Sequence, residues 1–122
     1  MADILLVEDN AEVRSLLIQL LTCQGHQVAP TDSGKAALKM AQSRRFDLMI
    51  TDIVMAEGDG LETIPAIRRQ FPEVRILAMS GGGYQSCADY LKMARQLGAD
   101  LTLAKPFTRE QLKGALETLL GM

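Results

Sequence analysis

The chain alternates between short apolar runs and longer stretches in which apolar residues recur every three or four positions. Ile4 to Val7 reads ILLV, Phe46 to Asp52 FDLMITD, Arg75 to Met79 RILAM and Leu101 to Ala104 LTLA. These runs lack the strict alternation of a sheet wetted on one face, so they predict strands of a parallel sheet covered by helices on both sides. Val28 to Pro30 is a further short strand, and Pro30, which cannot donate to a ladder, assigns it to an edge.

The intervening segments carry helical spacing. Val13, Leu16, Leu17, Leu20 and Leu21 define one face of a first helix, with Asp9 or Asn10 as its cap, Asp9 and Glu12 at capping-box spacing, and Gly25 as its stop. A second helix starts at Asp32-Ser33-Gly34, with Ala37, Leu38 and Ala41 inward and Lys35, Lys39 and Gln42 outward. A third carries Leu61, Ile64, Ile67 and Phe71, and Pro65 removes one amide donor from it. A fourth runs from Gln85 to Leu97, with Ala88, Leu91, Ala94 and Leu97 on one face. The last opens on a Thr108/Gln111 capping box and carries Leu112, Ala115, Leu116 and Leu119.

Alternating strand and helix signals predict an α/β, flavodoxin-like, doubly wound five-stranded parallel sheet flanked by five helices. The edge character of the second strand selects the order 2-1-3-4-5, with a switch point between the first and third strands. Residues 1–122 are expected to form one domain.

Composition narrows the class without choosing within it. Apolar residues make up 48% of the chain and charged residues 23%, which is ordinary for a globular protein. The 13 basic residues are scattered among 15 acidic ones, which argues against a nucleic-acid partner. No apolar run approaches the roughly 18 residues of a membrane span, so a cytoplasmic protein without a membrane partner is expected. Cys23 and Cys87 form no C-x-x-C pattern and are expected as buried thiols, His26 as a solvated turn residue, and the seven methionines as core filler.

The strand ends carry the chemistry. The first strand ends on Glu8 and Asp9, the third on Asp52, the fourth on Ser80 and the fifth on Lys105. In an open parallel sheet these ends share one edge, where ligands bind. Carboxylates at about 4 to 5 Å repel by several kcal/mol at an effective dielectric near 20, and an oxygen-ligated divalent cation such as Mg²⁺ relieves that. A metal beside Asp52, with the ammonium of Lys105, suits an incoming phosphoryl group, for which a carboxylate can serve as nucleophile. Gly81 after Ser80 leaves backbone room for phosphate oxygens, and the run Gly81-Gly82-Gly83 is expected to supply a hinge.

The succession ILLVED, MITDIVM with a downstream DG, ILAMSG and LAKPF closely resembles the receiver domain of two-component response regulators, over essentially the whole chain. The resemblance implies that Asp52 is the phosphoacceptor, Ser80 the switch hydroxyl and Lys105 the phosphoryl contact. It implies Mg²⁺ held by Asp9 directly, by Glu8 mostly through water, by Asp52, and by the backbone carbonyl of Val54. It implies a cis bond between Lys105 and Pro106. It implies a sensor histidine kinase or histidine phosphotransfer protein as phosphodonor and a downstream protein target. It also implies self-catalysed phosphorylation and dephosphorylation in place of conventional enzyme turnover.

The chain departs from the family pattern at Thr102, where an aromatic is usual, and at Ala56, where a proline is usual. The alternative reading is a receiver-like interaction module that works without phosphorylation. A third is a flavodoxin-like nucleotide binder using Ser80 to Gly83, against which stand the missing G-x-G-x-x-G pattern and the acidic end of the first strand.

Overall fold

The computed structural model describes residues 2–53, 60–81, 87–105 and 107–121, the side chains at 61 and 87–91 excepted. Strands β1 (Asp3–Val7), β2 (Gln27–Thr31), β3 (Leu48–Asp52), β4 (Arg75–Gly81) and β5 (Leu101–Lys105) alternate with helices. The helices are α1 (Ala11–Cys23), α2 (Gly34–Ser43), α3 (Gly60–Gln70), α4 (Cys87–Leu97) and α5 (Arg109–Leu120). The strands pair in parallel in the order β2-β1-β3-β4-β5, the doubly wound order expected from the sequence.

Burial on both faces explains the continuous apolar runs. Leu5, Val7, Met49, Ile76 and Ala78 pack with Ala37, Ala41, Ile64, Ile67 and Ala94, which sets α2, α3 and α4 on one face. Ile4, Leu6, Leu48, Ile50, Leu77 and Met79 pack with Leu17, Leu21, Leu112, Ala115 and Leu116, which sets α1 and α5 on the other. Successive strand residues point to opposite faces, so a central run such as β1 or β3 is buried at nearly every position, whereas the edge strand β5 is only partly buried. β2 lies at the edge, and its Pro30 is exposed.

Caps fix where the helices enter. Asn10, not Asp9, caps α1, its Oδ1 accepting from Val13 N at 3.0 Å, so the Asp9/Glu12 pair forms no capping box. Ser33 caps α2, and Thr108 and Gln111 form the expected reciprocal box on α5. The third strand begins at Leu48, because Asp47 turns outward and accepts from Asp3 N at 2.9 Å. Gln85, the expected start of the fourth helix, and Gly82, Gly83 and Ala56 lie outside the described residues.

Several expectations are corrected. Leu16 is 55% exposed, since neighbouring helix positions diverge by about 100° and Leu17 already faces the sheet. Leu97, at the last position of α4, is also exposed. Cys23 is an exposed free thiol at the end of α1, not a buried one, and the side chain of Cys87 is not described. His26 is 4% exposed, not solvated: its ring turns inward and Nδ1 accepts from Ala2 N at 3.1 Å. Met49 and Met79 do fill the core, whereas Met93 is exposed. Among the described residues no helix is long and apolar enough to cross a membrane.

One close approach is testable. α2 starts so near α3 that a Cβ at Gly34 would lie 1.9 Å from Thr63 Oγ1 and 3.2 Å from Thr63 Cβ. Gly34→Ala should therefore lower unfolding free energy by about 1–3 kcal/mol in urea titrations. Much of that loss should vanish in the Thr63→Ala background. An equal loss in both backgrounds would place the strain elsewhere.

Candidate functional site

Register assembles the site. Val7 pairs with Thr51, so Glu8 and Asp9, next along the chain, leave the sheet beside Asp52. Asp52 pairs with Met79, which sets Ser80 one step beyond it, and Gly81 pairs with Lys105. β1, β3 and β4 deliver their polar residues at the carboxyl edge because the positions before them are committed to the core, whereas β5 is only partly buried before Lys105.

The carboxylates converge. Glu8, Asp9 and Asp52 offer oxygen atoms that all lie within 4.8 Å of one another. Glu8 and Asp52 are buried, and Asp9 is half-buried on the open side. Lys105 Nζ donates to Glu8 Oε1 at 2.9 Å and to Asp52 Oδ2 at 3.0 Å. The other oxygen of Glu8 accepts from Asn10 N at 3.2 Å, and Arg14 donates to the Glu8 carbonyl at 2.8 Å. Ser80 is buried at the end of β4. Val54 and Pro106 lie outside the described residues, so neither the carbonyl ligand nor the cis bond is described.

Proton affinities follow from this packing. Burial pushes the Glu8 carboxyl above the ordinary glutamate range, with the charge of Asp52 adding and the Lys105 hydrogen bond opposing. Burial works to lower Lys105, but the hydrogen bond to Glu8 and the charge of Asp52 outweigh it and hold the ammonium above its ordinary range. Lys105 thus stays a cation between two acids.

The arrangement suits a hard divalent cation. Three carboxylate oxygens at this spacing match the oxygen ligands that Mg²⁺ prefers, with water to complete its shell. Glu8 has both oxygens engaged, whereas Asp9 stands on the more open side. Sequence reasoning missed Arg14, which anchors the backbone of Glu8; only its position one turn into α1, close to the acidic pair, could have signalled it. A roomier hollow of about 600 Å³, lined in part by Arg44, Phe46 and Phe71, includes none of these site residues.

A doubly wound sheet with an acidic cluster and a lysine at its carboxyl edge belongs to the class of open α/β sheets whose ligands bind at the switch point. The sequence model of the response regulator receiver domain matches residues 4–117, and the chain belongs to that family. It is thus a receiver domain of two-component signalling, a family whose members typically use Mg²⁺ and interact with histidine kinases and downstream targets.

Relatives include NtrC, a DNA-binding transcriptional regulator of Azospirillum brasilense, 34% identical over 98% of this chain and 24% of its own length. A probable chemotaxis protein CheY of Rhizobium etli is 33% identical over 97% of this chain and 92% of its own length. The chain therefore spans about a quarter of the length of the first curated relatives it matches, and nearly all of a CheY. Among solved structures, NtrX of Brucella abortus superposes with a TM-score of 0.91 at 30% identity, over 98% of this chain and 27% of that one. TrrA of Thermotoga maritima, solved in complex with Mg²⁺–BeF, gives 0.86 at 30% identity over 98% of this chain and 99% of that one.

Removing the cation tests the electrostatics. Glu8 with a raised folded-state pKa contributes stability below its ordinary value near 4.5, which is lost as pH rises through the folded value. Lys105→Met should raise that folded value further and extend the loss towards neutrality. In metal-free buffer, the variant should be less stable by about 3 kcal/mol at neutral pH and should recover on acidification towards pH 4.5. Denaturant curves running parallel to wild type at every pH would contradict this.

Proposed function

We propose that Asp52 accepts a phosphoryl group from a sensor histidine kinase or histidine phosphotransfer protein, with Mg²⁺ bound at Glu8, Asp9, Asp52 and the carbonyl of Val54. The observation that carries this reading is the Lys105 ammonium 3.0 Å from Asp52, within a cluster whose carboxylate oxygens lie inside 4.8 Å. The complex of TrrA with Mg²⁺–BeF supports it by structural likeness. In the step proposed, a carboxylate oxygen of Asp52 bonds to phosphorus as the bond from phosphorus to the donor imidazole nitrogen breaks. The imidazole leaves with the bonding pair and takes up a proton.

Mg²⁺, when bound, neutralises charge on the carboxylates and the incoming phosphoryl oxygens. Lys105 then shifts its hydrogen bonds towards the phosphoryl group, which replaces one acceptor with another at little cost in geometry. Ser80, one residue past the partner of Asp52, supplies the hydroxyl that senses the product. The added charge of about −1.5 to −2 is what a downstream protein reads, and the small Thr102, half-buried on β5 opposite Ala78, leaves that relay without the usual ring. Residues 1–122 act as one cytoplasmic receiver unit in this scheme.

A small-molecule phosphodonor with Mg²⁺ should add one phosphoryl group, seen by intact mass, and Asp52→Asn should abolish it. Undiminished labelling of the Asn variant would remove Asp52 from the role. Uptake by neither protein, with partner capture unchanged, would favour the module that works without phosphorylation.

The metal ligands can be ranked. Asp9→Ala should weaken Mg²⁺ binding more than Glu8→Gln, because both Glu8 oxygens already accept hydrogen bonds. Titration calorimetry giving equal losses would contradict the ordering.

A further inference from the structure

The buried histidine opens onto a second site. His26 directly precedes β2, at the amino-terminal edge of the sheet, whereas Asp52 ends β3 at the carboxyl edge. His26 lines a cavity of about 380 Å³ together with Leu20, Cys23, Gln24, Arg109 and Lys113. Its Nδ1 accepts from Ala2 N, so in the neutral ring the proton sits on Nε2. That Nε2–H is buried and has no hydrogen-bond partner among the described residues. The amide nitrogen of Gln24 is likewise buried and unpartnered.

Buried donors left unmade are costly, and native structures seldom keep two at one place. Burial also lowers the proton affinity of His26, which keeps the ring in this neutral, Nε2–H form. The described lining contains two cations, Arg109 and Lys113, and no carboxylate. Arg109 stands at the first position of α5, where the helix dipole disfavours a positive charge. The four residues that carry these donors, of positive or neutral character, line one cavity, which suits a ligand that only accepts.

We infer that this cavity binds a phosphate-type oxyanion, free or as the monoester of a small molecule, on Nε2–H of His26, the Gln24 amide and the cations of Arg109 and Lys113. Two cations match a dianion better than a carboxylate. The volume falls within the lower range of small-molecule sites, so a monoester with a modest apolar group fits against Leu20. The inference does not depend on Asp52 being a phosphoacceptor.

The test is a two-dimensional NMR titration of the protein with inorganic phosphate and, separately, with phenyl phosphate. Chelator removes divalent metal, and sodium chloride holds ionic strength constant. Both probes should give saturable shifts at the His26 ring and the Gln24 amide, and phenyl phosphate should also move the Leu20 methyls. A Leu20 response with tighter binding would assign the site to monoesters; equal affinity would assign it to the free ion.

Arg109→Gln and Lys113→Gln alter exposed positions of α5 and should each weaken binding about fivefold without lowering the melting temperature. Shifts that stay linear, that persist undiminished in the double variant, or that cluster at Glu8, Asp52 and Lys105 would overturn the inference. So would a His26 Nε2–H bonded to the Gln24 oxygen and indifferent to both probes, because the donors would then satisfy each other.

Discussion

Lys105 reaches across the carboxyl edge of the sheet to two carboxylates that would otherwise repel each other, and the site depends on that reach. Oxygens of like charge about 4.8 Å apart repel by roughly 3 to 4 kcal/mol per pair at an effective dielectric near 20. A single ammonium bonded to both Glu8 and Asp52 offsets much of this. The bridge joins residues separated by 97 and 53 positions in the chain, so it exists only when β1, β3 and β5 hold their register. The parallel sheet is thus the device that makes the charge pattern possible.

The same geometry suits the exchange that the proposed reaction requires. Lys105 donates to carboxylates that a metal would also seek, and its hydrogen bonds can pass from carboxylate to phosphoryl oxygen in the proposed reaction. Asp9 is the less buried member of the cluster, the side from which the proposed cation would arrive. Glu8, held from both ends by Asn10 and Lys105 and through its backbone by Arg14, serves as the fixed wall.

Much of this was legible in the sequence because strands buried on both faces leave a simple signature. ILLV and LMIT cannot alternate when every position meets a core, and an acid at the end of such a run has only the sheet edge to occupy. Pro30 likewise placed β2 at the border. What the sequence hid depends on contacts between distant segments. His26 looked like a turn residue beside Gly25, yet the backbone amide of Ala2 draws its ring inward. Leu16 belonged to the helical stripe by spacing alone, but Leu17 and Leu21 are the positions that α1 buries against the sheet. Cys23 was expected inside on general grounds, although the end of α1 leaves it in solvent. The convergence of His26 and Gln24 with Arg109 and Lys113 could not be read from spacing, since nothing local relates the end of α1 to the start of α5.

Glu8 and Asp52 together hold Lys105 as a cation. NMR titration of its side-chain nitrogen and adjacent carbon, in metal-free protein, measures this directly. The midpoint should lie above the ordinary lysine value near 10.5 and fall in both Glu8→Gln and Asp52→Asn. An ordinary midpoint that neither substitution moves would contradict it.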